Sequence, residues 1–164
     1  MTSFLFGLII LLVGFLGLFA TLTFIIIEIF KRKPKHWKKS IYSFLISGAV
    51  VILLILVHEV ILFPPNPKLD DLVLTAYREA PIGGYWLGLY YDSTWEFGNS
   101  SREIEFDGTF EIIGDTLFLF TSSGSTFYNG NSSNQFLIQA EDLVEIENTG
   151  IKGLKIGLNK ISKE

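Results

Sequence analysis

The chain has 164 residues, with 13 Lys/Arg against 17 Asp/Glu for a net charge of −4, two histidines and no cysteine. The missing cysteines exclude disulfides, thiolate catalysis and cysteine-ligated metals, and the acidic balance argues against a nucleic-acid partner. The charge is unevenly spread: residues 1–63 carry six basic and two acidic side chains, residues 64–164 seven and fifteen.

Residues 4–27 form a run of 24 without a charge, which spans about 36 Å as a helix against a hydrocarbon core of about 30 Å. Residues 31–39 then hold six Lys/Arg. Residues 41–57 are again uncharged, followed by His58, Glu59, four apolar residues and Pro64-Pro65. The expectation is a transmembrane hairpin over residues 1–63, with helices at 4–30 and 40–63 and a basic loop at 31–39. Basic connectors stay on the cytoplasmic side, so both termini are expected outside the cytoplasm. A cleaved signal peptide does not fit, because no Lys or Arg precedes the run and the run is too long. Without cysteines the outer part suits the bacterial inner membrane, which makes lipid one expected partner. Attraction to an anionic cytoplasmic leaflet accounts for the basic loop.

On the first helix Gly7, Gly14, Thr21 and Glu28 recur every seven residues beside Gly17, a small or polar stripe. On the second, Ser40, Ser43, Ser47 and His58 share one face. Such residues let membrane helices approach closely, either with each other or with another membrane subunit. The intramembrane polar residues are then His58, Glu59 and Glu28. His58 and Glu59 lie near the expected outer interface, where they serve either as anchors or as a relay or partner-binding pair.

Residues 64–83 read as a Pro-rich exit, Pro64-Pro65-Asn66-Pro67, and an amphipathic helix over 69–79. Leu69, Leu72, Val73, Ala76 and Tyr77 keep the helical spacing, and Pro81 stops it. Residues 84–164 read as an extracytoplasmic, all-β antiparallel meander, either a sandwich or a partial barrel. Strands are expected at 86–91, 94–97, 103–106, 109–113, 116–120, 135–139, 143–147 and 154–161. Short turns at Asp92-Ser93, Asp107-Gly108 and Gly114-Asp115 demand antiparallel neighbours. Residues 122–134, rich in Ser, Gly and Asn, form the longest loop.

Two segments echo each other fifteen residues apart: Asp92-Ser93-Thr94-Trp95-Glu96-Phe97 and Asp107-Gly108-Thr109-Phe110-Glu111-Ile112. With Gly114-Asp115-Thr116-Leu117-Phe118-Leu119 after them, the stretch from Gly84 on resembles the small lipocalin-like β-meander domains of bacterial envelope proteins. The resemblance implies a shape and no activity.

No catalytic residue, metal site or cofactor is expected. Serine catalysis wants a positioned base, and both histidines, His36 and His58, lie before the β region. Asp92, Glu96, Glu103, Glu105, Asp107 and Glu111 could supply a carboxylate pair, but alternating Glu is normally the wet side of a sheet. Asp92, Asp107, Asp115 and Asp142 lack the dense alternation of a calcium loop.

Aromatic residues crowd the first strand pair. Tyr85, Leu87, Leu89 and Tyr91 share one face of the strand, Trp86 and Tyr90 the other. The expectation is that Trp86 and Tyr90, flanking Gly88, point to the core. Tyr85, Leu87 and Tyr91 then meet a partner, with Asp92 and Glu96 as charged rim. The expected function is that of a non-catalytic, membrane-anchored protein-interaction module. It would be an accessory subunit of an inner-membrane complex or a toxin-neutralising envelope protein, and the partner another envelope or inner-membrane protein. The alternative is a tethered β-cup that binds lipid or a small ligand.

Overall fold

The computed structural model describes residues 3–31, 37–79, 84–146 and 150–161. His36 and most of the basic connector, Pro81, Gly83 and residue 147 lie outside the described residues. The chain divides into two compact units, Met1–Pro64 and Pro65–Glu164.

The first unit is a pair of helices, α1 (Ser3–Lys31) and α2 (Trp37–Leu56), the latter running on through a π-helical turn, Val57–Leu62. Both are long and apolar enough to cross a membrane, with mean hydropathy 2.7 over Ser3–Phe30 and Lys38–Leu62. The expected stripes meet each other. A Cβ on Gly17 would stand 2.4 Å from Ser47 Cβ, so only glycine allows this approach. Alongside it, Thr21 Oγ1 donates to Gly17 O (2.9 Å) and contacts Ser43 Oγ (3.3 Å), and Ser40 donates to Glu28 Oε2 (2.8 Å). The outward faces are bare hydrocarbon, Phe15, Phe30 and Ile46 among them.

The second unit is a closed barrel of eight antiparallel strands in sequential order: β1 (Leu72–Glu79), β2 (Gly84–Tyr90), β3 (Thr94–Ser100), β4 (Glu103–Ile113), β5 (Thr116–Thr121), β6 (Ser133–Gln139), β7 (Asp142–Glu145) and β8 (Leu154–Asn159). Pairing of β1 with β8 completes the ring, Ala76 opposite Ile156 and Tyr77 opposite Lys155. The meander is therefore neither a sandwich nor a partial barrel.

Two expected elements are corrected. The helix at 69–79 is a single 3₁₀ turn, Leu69–Asp71, followed by β1. The apolar residues there satisfy two periods at once. Past a bulge between Leu72 and Leu74, Leu74 and Ala76 alternate into the core, and hydrogen bonding to β2 on one side and β8 on the other decides for the strand. The second correction is at Asp107-Gly108, which is no turn: β4 runs through it for 11 residues. A Cβ on Gly108 would lie 1.8 Å from the carbonyl oxygen of Phe120. The glycine permits a close backbone approach inside a strand.

Side chains fill the interior. Leu74, Leu87, Leu89, Trp95, Phe97, Leu117, Leu119 and Phe136 point inward from the strands, all fully buried. The loops contribute as well. Phe127, between β5 and β6, stacks on Trp95 at 5.6 Å with planes 8° apart. Ile151, between β7 and β8, is fully buried, and its carbonyl accepts from the Arg78 guanidinium.

Candidate functional sites

The aromatic faces of β2 are the reverse of the expectation. Leu87 and Leu89 oppose Phe97 and Trp95 on β3, and all four are buried in the barrel. Tyr85 stacks on Phe97 at 5.3 Å beneath the Arg78 guanidinium, 4.6 Å from its ring centroid. Leu87 is thus core, and Tyr85 belongs to the aromatic interior. Of that set only Tyr91 is freely exposed, at 68%. The strand pleat explains the reversal: Gly88 leaves room on the outer face, where the Trp86 ring and Leu72 fold over it.

That outer face is covered rather than free. Tyr90 is 1% exposed, and its hydroxyl donates to Glu96 Oε2 (2.6 Å). The exit segment supplies the lid. Asn66 Nδ2 donates to the same Glu96 oxygen (2.5 Å) and to Tyr90 Oη (3.1 Å), and Lys68 lies 5.3 Å over the Tyr90 ring. Glu96 is therefore a fastening for residues 66–68, not a rim charge. Asp92 caps the β2–β3 turn, accepting from Thr94 N (3.0 Å) and Thr94 Oγ1 (2.5 Å), and these bonds hold its carboxyl below the usual aspartate range.

Burial, then the hydrogen bond and charge of Glu96, push the Tyr90 phenol far above the ordinary tyrosine value. A raised folded-state pKa means the protonated form stabilises the fold. That contribution is intact below about pH 10 and is lost as pH rises through the raised value. In an alkaline titration followed at the phenolate absorbance, Tyr90→Phe should remove amplitude from the late, high-pH part of the curve. Removal of amplitude from the early part instead would contradict this placement.

Of the candidate carboxylates, Glu96 and Asp107 lie opposite each other across β3 and β4, but each is engaged by other partners, Glu96 by Tyr90 and Asn66. Glu105 accepts from Asn99 (2.8 Å) and Tyr128 (2.5 Å), and Asp107 from Ser122 (2.7 Å). Glu79 and Asp142 line an open cleft of about 550 Å³ together with Tyr77, Arg78, Gly153, Leu154 and Lys155. Charges of both signs are mixed there.

A different outer surface is apolar. On β5 to β7, Phe118 and Phe120 project outward beside Leu137, Val144 and Ile146, with Ile113 at the end of β4. In register, Thr116, Leu137 and Val144 form one row, and Glu111, Phe118 and Gln135 the next. Ile113 is 64% exposed, Ile146 54%, Val144 41% and Phe120 40%. Sequence reasoning noted Phe118 and Phe120 only as part of the aromatic content.

In the helical unit the polar residues form two groups. Glu28 is 9% exposed and its Oε1 has no hydrogen-bond partner among the described residues. At the other end of the pair, His58 Nε2 lies 2.9 Å from Ser3 Oγ, and His58 Nδ1 lies 3.0 Å from Glu59 Oε1. Phe6 stacks on the imidazole at 5.5 Å and Phe63 tilts against it at 5.0 Å. The π turn closes with Phe63 N donating to His58 O (2.9 Å). Ser3 was not anticipated from the sequence. No protein-family model, curated protein or solved structure matches this chain.

Proposed function

We propose that this chain is a membrane-anchored protein-interaction module whose barrel is non-catalytic. The helix pair crosses the bacterial inner membrane as a hairpin with its basic connector in the cytoplasm, and the barrel stands outside. The bare apolar outer surfaces of both helices and the six Lys/Arg between them support the anchor. The observation that carries the interaction is the apolar outer face of β5 to β7 on a barrel whose interior is already packed. Several large exposed apolar side chains on one sheet face, here interspersed with Thr116, Glu111 and Gln135, suit an interaction site better than a solvated wall. The partner is another envelope or inner-membrane protein, in an accessory-subunit or toxin-neutralising role. A packed core gives a ligand-binding cup no support.

The experiment is co-purification from the native host. Full-length protein should resist alkaline extraction from membranes and bring a partner with it in mild detergent. Phe120→Ser combined with Val144→Ser and Ile146→Ser should lose that partner with little change in the melting temperature, because exposed substitutions cost within about 0.5 kcal/mol each. Retention of the partner by the triple variant sinks the assignment of this face.

A further inference from the structure

Ser3, His58 and Glu59 stand in the order that activates a serine. We infer that they form a nucleophilic acyl-transfer site at the end of the helix pair, acting on esters with an apolar acyl chain. This goes beyond the interaction module, which rests on the barrel alone.

The hydrogen bonds define the roles. Glu59 Oε1, 3.0 Å from Nδ1, holds the imidazole proton on that nitrogen. Nε2 is left as the acceptor facing Ser3 Oγ at 2.9 Å. A carboxylate that fixes the tautomer and a base that takes the hydroxyl proton are the two supports a serine nucleophile needs. The ring is held in place by Phe6 and Phe63, and the π turn carries both His58 and Glu59. Such turns recur at functional sites.

The surrounding surface is hydrocarbon, with Phe4 and Leu62 both exposed, which selects an apolar acyl chain over a polar one.

In the reaction, Ser3 Oγ attacks the ester carbonyl carbon while its proton passes to His58 Nε2. The carbon–oxygen bond to the leaving alcohol breaks, and that proton leaves with the alcohol. Water then attacks the acyl-serine with His58 as base, releasing a carboxylic acid and restoring the serine hydroxyl. No oxidant or metal enters the balance.

The test uses full-length protein in detergent micelles and an alkyl fluorophosphonate as probe. Mass spectrometry should place one phosphonyl group on the peptide carrying Ser3. Ser3→Ala should abolish it, and His58→Gln should slow labelling by about 100-fold or more. Glutamine can still hydrogen-bond Ser3 but cannot accept its proton, so a merely structural clamp would label at an unchanged rate. Glu59→Gln should give a smaller loss. Barrel melting, followed by tryptophan fluorescence, should be the same in all variants. Absence of label from Ser3 in folded protein, or labelling indifferent to His58→Gln, overturns the site and leaves the interaction face untouched.

Discussion

Gly108→Ala is expected to abolish the cooperative unfolding transition of the barrel. The new Cβ would lie 1.8 Å from Phe120 O, 2.9 Å from its carbonyl carbon and 3.0 Å from Thr121 Cα. All three are backbone atoms of the neighbouring strand, so no side-chain rotation relieves the clash. The β4–β5 ladder, which pairs Gly108 with Thr121 and Thr109 with Phe120, must separate there. A cost of about 4 kcal/mol or more follows, at the far end of what single substitutions do and comparable with the whole stability of a small domain. Gly114→Asn is the control. That turn position has φ +63 and nothing within 4 Å of a Cβ, and asparagine tolerates such a backbone, so the melt should barely move. A cooperative melt retained by Gly108→Ala would mean that β4 does turn at this point.

Trp95→Ala should be nearly as severe, costing about 3–5 kcal/mol. Trp95 is fully buried, stacks on Phe127, and its indole N–H bridges Thr109 O (2.9 Å) and Phe120 O (3.1 Å). Truncation opens the core and releases the loop that Phe127 pins into it. Trp86→Ala should cost clearly less, because Trp86 lies on the outer face and is half-buried over Gly88. The measurement is the chemical denaturation midpoint of each variant. The reverse order would mean that the two faces of β2 and β3 are exchanged.

Much of the fold was legible because it is local. The two apolar runs, the turns at Asp92-Ser93 and Gly114-Asp115 and the alternation of Leu117 and Leu119 each need only neighbouring residues. What failed depends on distant partners. Leu69 to Tyr77 suits a helix as well as a strand, and only pairing with β2 and β8 separates the two. Asp107-Gly108 has the composition of a turn, yet Gly108 is there for Phe120, twelve residues on. On β2 both faces are apolar, so alternation alone could not say which is inside. The cover contributed by Asn66 and Lys68 has no periodic signature. Of the helical cluster, His58 and Glu59 stood out by cost. Ser3 was available too, since it lies four residues before Gly7 on the same helix face, but it lies outside the seven-residue repeat.

Closure between β1 and β8 puts a clock on biogenesis. The partner of β1 lies about 80 residues downstream, so at about 5–20 residues per second it leaves the ribosome roughly 4–16 s later. Throughout that interval one edge of β1 is a bare ladder, open to pairing with any extended segment nearby. Contacts this remote in sequence also make for slow folding once the chain is complete. Newly made protein is therefore most vulnerable to misassembly and proteolysis before β8 arrives, and a chaperone that shields β1 would raise yield without touching the finished molecule.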